Sequence, residues 1–87
     1  MIKLDNIKIA VIGLGYVGLP LAVEFAKKYS VIGFDISEER LAQLYSGQDL
    51  TMEVRSHELA GAVNLLYTNN AKDLERCNVY IVTVPTP

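Results

Sequence analysis

The pattern of apolar and polar positions predicts strands that alternate with helices. Residues 7–12 are β-branched and almost wholly apolar, as expected for a strand buried on both faces of a parallel sheet. Residues 17–28 then carry apolar side chains at helical spacing, which predicts a first helix with Lys27 and Lys28 near its C-terminus, where their charge complements the helix dipole. The predicted buried face of this helix consists of Val17, Leu19, Leu21, Ala22, Val23, Phe25 and Ala26. Residues 30–35 follow as a short second strand that ends at an acidic residue.

The same alternation continues toward the end of the sequence. Ser37 can cap a second helix over residues 40–46, and Gly47 supplies its C-terminal stop. The residues that this helix would turn inward are Leu41, Leu44 and Tyr45. The later predicted elements are a short helix begun at Ser56, a strand over 65–68, a helix over 71–76 that is capped by Asn69 or Asn70 and presents Leu74 to the core, and a strand over 79–84.

Strands that alternate with helices imply a parallel sheet with right-handed crossovers. We therefore predict an α/β fold with a doubly wound parallel sheet of four strands in the order 3-2-1-4. The fourth strand would be an apolar edge without a neighbour, ended by Pro85 and Pro87. The sheet is thus expected to be incomplete. Residues 1–87 are expected to be the N-terminal part of a longer polypeptide, or else a partner chain would cover this edge.

A glycine motif joins the first strand to the first helix. Gly13, Gly15 and Gly18 have the spacing G-x-G-x-x-G: the first permits a tight turn, the second lets a pyrophosphate approach the backbone, and the third lets the helix pack closely on the strand. Asp35 lies 20 residues after Gly15, where a carboxylate takes the ribose hydroxyls of a dinucleotide and repels a 2′-phosphate. These features predict a Rossmann-type domain that binds NAD rather than NADP. The alternative is three turn glycines in an α/β domain without a ligand.

Composition limits the partners and the compartment. The chain has 87 residues and a net charge of −2, which suit one small domain without a basic block for nucleic acid or an anionic membrane surface. Glycines interrupt the first apolar run, so neither a signal peptide nor a membrane span is predicted. The single cysteine excludes an internal disulfide, and we expect a cytoplasmic protein. Cys77 is expected to be a small buried hydrophobe and the lone His57 a solvated residue.

Three segments carry a resemblance to a known family. They are residues 13–22 (GLGYVGLPLA), residues 33–36 (GFDI) with Arg40 beyond them, and residues 82–87 (VTVPTP). In these segments the chain resembles the N-terminal NAD-binding domain of the UDP-glucose/GDP-mannose dehydrogenase family. Within the family, the residues of these segments are most similar to those of the bacterial UDP-N-acetylhexosamine 6-dehydrogenases. Those enzymes supply uronic-acid sugars for surface polysaccharide biosynthesis.

The resemblance implies roles for individual residues. Tyr16 and Val17 would offer backbone N–H groups to the pyrophosphate, and Asp35 would hold the adenosine ribose. Arg40 would lie beside the adenine and ribose, although a charged residue on a helix could equally belong to an exposed face. Pro85 and Thr86 would lie close to the cofactor after the fourth strand.

The resemblance also implies an activity for the full-length protein. Family members are oxidoreductases that oxidise C6 of a nucleotide sugar twice, with two NAD and a covalent thiohemiacetal on a cysteine. That cysteine, its accompanying lysine and most of the UDP-sugar site lie far downstream in the family, so no catalytic residue or metal ligand is predicted here and the chain alone is expected to be inactive. A homo-oligomer is implied for the full-length protein. Another NAD dehydrogenase of the hydroxyacyl or phosphogluconate type, or a non-catalytic nucleotide-sensing module, remains an alternative.

Overall fold

Strands and helices alternate along the chain, as predicted. The computed structural model describes residues 6–47, 59 and 61–83. Strand β1 (Lys8–Ile12) leads into helix α1 (Gly18–Phe25), and strand β2 (Ser30–Phe34) leads into helix α2 (Glu38–Tyr45). The later elements are strand β3 (Leu65–Thr68), a 3₁₀ helix (Ala71–Arg76) and strand β4 (Val79–Val82). No helix within the described ranges is long and apolar enough to cross a membrane.

The four strands form one parallel sheet in the order β3-β2-β1-β4. Val11 of β1 aligns with Gly33 of β2 and with Ile81 of β4, so β1 lies between two neighbours. Because the strands are parallel, the loops that follow them all leave at the same edge of the sheet. The predicted strand order and the Rossmann-type architecture are confirmed.

The core lies between the sheet and its first two helices. The buried residues of this cluster are Ile9, Val11, Leu14, Leu19, Ala22, Val23, Ala26, Val31, Leu41, Leu44, Leu59 and Leu65. Ile9, Ala10 and Val11 are all buried, which confirms the burial predicted for the middle of β1. The alternate residues of the outer strands are less covered, since Leu66 and Tyr80 are both more than half exposed. Among the described residues, the face of the sheet that packs against α1 and α2 is therefore better covered than the opposite face.

Helix α1 is shorter than the sequence predicts. It ends at Phe25, so Lys27 and Lys28 lie beyond its last turn, and Lys27 instead pairs with Glu24 at 2.9 Å on the surface. Val17 is the residue before the first helical residue and is 60% exposed, so the prediction that it belongs to the buried face was wrong. The physical reason is that the turn through the glycine motif extends to Val17 and delays the start of the helix.

The ends of α2 agree with the sequence. The Ser37 hydroxyl accepts a 3.1 Å hydrogen bond from the backbone N–H of Arg40, as expected of an N-cap. Gly47 follows the helix with a φ of 84°, in the left-handed region that glycine adopts without strain. Both predicted helix signals are confirmed.

The inward face of α2 contains one residue fewer than predicted. Leu41 and Leu44 are buried, but Tyr45 is 66% exposed, so the prediction that it points inward was wrong. Its hydroxyl donates a 2.6 Å hydrogen bond to the carbonyl oxygen of Tyr67, and the two rings meet edge to face with centroids 5.3 Å apart. In this way, a tyrosine at the edge of a core packs its ring against a neighbour and gives its hydroxyl a hydrogen-bond partner.

The element between β3 and β4 is a 3₁₀ helix. Six residues are a short stretch, and 3₁₀ geometry is typical of such pieces. The Asn70 side chain accepts a 3.0 Å hydrogen bond from the N–H of Lys72, which confirms Asn70 as the cap. Leu74 is half-buried rather than part of the core. The start of the helix predicted at Ser56 lies outside the described residues, although Leu59 and Gly61 are helical. Val84, the last residue of the predicted fourth strand, also lies outside them, and Thr83 follows β4 as a non-strand residue.

Candidate functional site

The turn after β1 is built on the first glycine of the motif. Gly13 has a φ of 97°, a left-handed conformation that residues with a Cβ rarely adopt. Its N–H donates a 2.8 Å hydrogen bond to the carbonyl oxygen of Phe34, the last residue of β2. The chain therefore turns sharply at the carboxyl edge of the sheet while it remains tied to the neighbouring strand.

The other two glycines differ in the space around them. A Cβ on Gly18 would overlap the carbonyl oxygen of Gly13 and the hydroxyl oxygen of Thr83, and would lie 2.8 Å from the Gly13 carbonyl carbon. A Cβ on Gly15 would have no atom within 4 Å, since it would extend into open space. Gly18 thus permits close packing within the protein, whereas Gly15 leaves the backbone open to a ligand. Close packing is the role predicted for the third glycine of a dinucleotide-binding turn, and open space is what the approach of a ligand to the second glycine would require.

The acidic residue at the end of β2 lies against this turn. Asp35 Oδ2 accepts a 3.1 Å hydrogen bond from the N–H of Leu14, inside the glycine motif. Its Oδ1 accepts a 2.9 Å hydrogen bond from the N–H of Ser37, and its own N–H donates to the carbonyl oxygen of Thr68 at 3.1 Å. The structure therefore brings together the two features, glycine turn and carboxylate, from which the sequence predicts a dinucleotide site.

Arg40 reaches back from α2 to the same turn. Its Nε donates a 2.8 Å hydrogen bond to the carbonyl oxygen of Leu14, and the residue is half-buried. Arg40 is therefore not a member of a purely solvated helix face, which was the alternative interpretation of its position. The N–H of Leu14 is held by Asp35 and its carbonyl by Arg40, so two residues predicted to contact a cofactor also fix the backbone of the turn.

The backbone between the turn and α1 offers N–H donors that bind no other described residue. Within the described part of the chain, no hydrogen bond uses the N–H groups of Gly15, Tyr16 or Val17. These groups precede the N-terminus of α1, where the helix dipole favours negative charge. The Tyr16 side chain is 71% exposed and the Val17 side chain 60%, so neither is buried within the protein. The donor set and the open space at Gly15 fit the diphosphate of a dinucleotide.

Sequence reasoning missed one residue of this arrangement. The hydroxyl of Thr83, the residue after β4, donates a 2.7 Å hydrogen bond to the carbonyl oxygen of Gly13. The predicted strand order contained a signal for it, because β4 lies beside β1 in the order 3-2-1-4. A hydroxyl residue at the end of β4 can therefore reach the end of β1.

The remaining predicted residues do not join this arrangement. Pro85 and Thr86 lie outside the described residues, as does His57. Cys77 is buried, as expected of a small hydrophobe, and burial raises the pKa of its thiol while the charge of Lys8 partly opposes that rise. It precedes β4 and so lies at the opposite end of the strand from the glycine turn. Among the described residues, no group of three or more histidine, cysteine or acidic side chains could hold a metal ion.

A cavity of about 300 Å³ lies away from the glycine turn. Lys8 and Ser30, the first residues of β1 and β2, line it together with Asn64, the residue before β3. It therefore opens at the amino ends of the strands. Ligands of open parallel sheets bind at the carboxyl ends, so this cavity is not the dinucleotide site.

Comparison with known proteins agrees with the geometry of the turn. Residues 7–87 match the model of the UDP-glucose/GDP-mannose dehydrogenase family, NAD binding domain. The chain is 58% identical over 84 residues to UDP-N-acetyl-D-glucosamine 6-dehydrogenase of Pseudomonas aeruginosa, covering 97% of the chain and 20% of that relative. It is 49% identical over 87 residues to UDP-N-acetyl-D-glucosamine 6-dehydrogenase of Salmonella typhi, covering all of the chain and again 20% of the relative.

A solved structure shows the same fold. UDP-D-ManNAc dehydrogenase from Pyrococcus horikoshii superposes with a TM-score of 0.78 at 38% identity, over 93% of the chain and 21% of that structure. The chain thus spans about one fifth of the length of the relatives that it matches.

Proposed function

Because the chain belongs to the UDP-glucose/GDP-mannose dehydrogenase family, we propose that residues 1–87 form the N-terminal part of the NAD-binding domain of a nucleotide-sugar 6-dehydrogenase. One observation carries the proposal: a glycine turn that is open at Gly15, and whose next N–H groups bind no described residue, lies directly beside the carboxylate that follows the next strand. An anionic diphosphate and a ribose are adjacent in NAD, and this arrangement offers a partner to each.

We assign the cofactor contacts residue by residue. The diphosphate lies on the turn, and the ribose of the adenosine half lies on Asp35. The residues assigned to the cofactor are Gly13, Gly15, Tyr16, Val17, Gly18, Asp35, Arg40, Pro85 and Thr86. Asp35 already accepts two backbone hydrogen bonds. A carboxylate has about four lone-pair sites, so it retains capacity for ribose hydroxyls.

The proposed chemistry is the oxidation of an alcohol at C6 of a UDP-sugar to a carboxylate. When bound, NAD supplies the hydride acceptor. The part played by this chain is to bind and orient the cofactor, while the groups that bind and oxidise the sugar lie outside residues 1–87. A UDP-N-acetylhexosamine is the proposed substrate, since the similar proteins from Pseudomonas aeruginosa and Salmonella typhi bear that activity in their names. These relatives also favour a nucleotide-sugar dehydrogenase over the hydroxyacyl and phosphogluconate types.

The proposal extends to the setting of the complete enzyme. We propose a cytoplasmic homo-oligomer that supplies uronic-acid sugars for surface polysaccharide synthesis. The low net charge and the single cysteine support the cytoplasmic part of this proposal.

Substitution of Gly15 tests the proposed cofactor site. Its added Cβ would meet no protein atom within 4 Å, and its φ is not in the left-handed region, so Gly15→Ala should leave the fold intact. The same methyl group would occupy the space through which a diphosphate reaches the backbone. We expect the wild-type protein to be stabilised by about 2.7 kcal/mol at NAD concentrations a hundredfold above its Kd. Gly15→Ala should have a Tm without NAD that is no lower than that of the wild type.

The readout is the NAD-dependent shift in Tm, with the Kd measured by titration calorimetry. Gly15→Ala should weaken NAD binding by about tenfold or more, the effect of losing one charge-assisted hydrogen bond of about 1.5 kcal/mol. Gly61→Ala is the matched control, since a Cβ there also meets open space but lies away from the turn. A wild-type protein that shows no shift with millimolar NAD, or a Gly15→Ala protein that binds NAD as tightly as the wild type, would overturn the proposed site.

A further inference from the structure

We propose that Thr83 is a positioning residue that fixes the direction of the glycine turn for diphosphate binding. The inference rests on the proposed function, because it concerns the same NAD site. Thr83 is not part of the glycine motif and lies 65 residues after Gly18. It follows β4 directly, on the side of β1 opposite to β2.

The Thr83 hydroxyl binds the carbonyl group from which the turn begins. Its Oγ1 lies 2.7 Å from the carbonyl oxygen of Gly13 and 3.2 Å from that of Ile12. The backbone N–H of Thr83 donates to the Ile12 oxygen at 2.8 Å, which continues the pairing of β1 with β4 for one more residue. The residue is half-buried, and a hydrogen bond in such a position is electrostatically stronger than one in water.

The hydrogen bond fixes a whole peptide plane. The carbonyl of Gly13 and the N–H of Leu14 belong to one rigid, planar peptide group. Thr83 holds its oxygen, and Asp35 holds its N–H at 3.1 Å. The two side chains come from the ends of β4 and β2, the strands on either side of β1. The peptide is therefore held at both ends across the width of three strands.

The orientation of the Gly13-Leu14 peptide determines the direction of the N–H groups that follow it. Arg40 holds the carbonyl oxygen of Leu14 at 2.8 Å, and in a trans peptide the N–H of Gly15 points away from that oxygen. Loss of the Thr83 contact would free the Gly13 peptide to rotate about a glycine, the residue with the fewest conformational restrictions. The donors that follow would then lose part of their preorganisation for a diphosphate.

The third glycine of the motif provides a second indication. A Cβ on Gly18 would overlap both the Gly13 oxygen and the Thr83 hydroxyl. The start of α1 therefore packs against the pair of hydrogen-bonded atoms, and the contact between Thr83 and Gly13 is enclosed by the helix on one side. This enclosure makes the Thr83 hydroxyl a part of the site rather than a surface group.

A pair of substitutions separates the hydroxyl from the bulk of the side chain. Thr83→Val keeps the branched shape and removes the donor, whereas Thr83→Ser keeps the donor and removes the methyl group. We expect Thr83→Val to raise the Kd for NAD and for ADP about three- to tenfold, the usual effect of one neutral hydrogen bond. Adenosine, which has no diphosphate, should bind both variants with the wild-type affinity. Thr83→Ser should bind ADP within about twofold of the wild type.

Isotope labelling supplies a measurement that does not depend on NAD. Protein labelled with 1-¹³C glycine and ¹⁵N leucine gives signals within these 87 residues only from the Gly13-Leu14 and Gly18-Leu19 peptides. We expect Thr83→Val to shift the Gly13-Leu14 signal, and Thr83→Ser to leave it near its wild-type position. An unchanged Gly18-Leu19 signal would report that α1 is intact.

The outcomes distinguish this inference from the proposed function. A wild-type protein that binds neither NAD nor ADP would overturn the proposed function and, with it, the role of Thr83 in binding. If the wild type binds both ligands, a Thr83→Val protein with unchanged ADP affinity or with a wild-type Gly13-Leu14 signal would overturn the role of Thr83 alone. Equal losses of ADP and adenosine affinity would also overturn it, because they would indicate general damage to the site.

Discussion

The N–H of Leu14 and the Oδ2 of Asp35 are joined by a 3.1 Å hydrogen bond between the glycine turn and the end of the neighbouring strand. The contact means that the carboxylate proposed for ribose binding is also part of the structure that shapes the diphosphate site. Asp35 accepts a second hydrogen bond from Ser37 at the start of α2. A change at Asp35 should therefore alter ligand selectivity and local structure together.

Asp35→Asn should weaken the binding of NAD and reduce its preference over NADP. An amide offers one acceptor oxygen and carries no charge, so it loses a charge-assisted contact to the ribose and no longer repels a 2′-phosphate. We expect about a tenfold loss of NAD affinity, since a hydrogen bond to a charged group contributes about 1.5 kcal/mol or more. The ratio of the NADP to the NAD dissociation constants should fall by at least the same factor.

Titration calorimetry with NAD and NADP measures both effects. Glu75→Gln is the matched control, because it removes one exposed carboxylate from the 3₁₀ helix and leaves the end of β2 unchanged. The Glu75→Gln protein should bind both dinucleotides as the wild type does. An Asp35→Asn protein with unchanged NAD affinity would remove Asp35 from the proposed ribose site.

Much of the fold followed from periodicity and turn chemistry. The strand order and the caps at Ser37 and Asn70 were predicted, because apolar runs, cap residues and glycines act over a few neighbouring residues. The proximity of the glycine turn and Asp35 followed as well. It depends only on parallel neighbouring strands, whose carboxyl ends meet at one edge.

The predicted strand order places Thr83 near the end of β1, but the hydrogen bonds that complete the turn could not be predicted from these local signals. Arg40 is 26 residues from Leu14, and Thr83 is 70 residues from Gly13, so their hydrogen bonds depend on the final packing of separate elements. The two errors on buried faces have a similar origin. Helical spacing placed Val17 and Tyr45 on apolar stripes, but the start of α1 and the contact of Tyr45 with Tyr67 are set by the tertiary structure.

Stability should fall in alkaline solution partly through Cys77. Burial raises the pKa of this thiol in the folded protein, so the unfolded chain loses the thiol proton at a lower pH than the folded one. The contribution of the Cys77 thiol to stability is fully present below the pKa of the unfolded chain, about 8.5. It is lost as the pH rises through the pKa of the folded protein. One such group can change the free energy of unfolding by at most about 1.4 kcal/mol per pH unit.

Urea unfolding under reducing conditions between pH 7.5 and 10 measures this dependence. Cys77→Ala is expected to be less stable throughout, because a buried side chain becomes smaller, but its stability should decline less steeply above about pH 8.5. The difference in slope isolates the thiol from every other group, because all the other groups are present in both proteins. Parallel pH profiles for the two proteins would contradict the effect of burial on Cys77.

Gly18→Ala should destabilise the protein, in contrast to Gly61→Ala. The added methyl group at position 18 would overlap the Gly13 carbonyl oxygen and the Thr83 hydroxyl, so the start of α1 must move away from β1. Overpacking of this kind costs about 1–3 kcal/mol or more. At Gly61 the same methyl group meets no atom within 4 Å. There the lower entropy of the unfolded chain should stabilise the protein by no more than about 0.4–1 kcal/mol.

Urea unfolding of the two variants compares these effects directly. Equal stabilities for Gly18→Ala and the wild type would mean that the helix does not pack against the turn as closely as the contacts of Gly18 require.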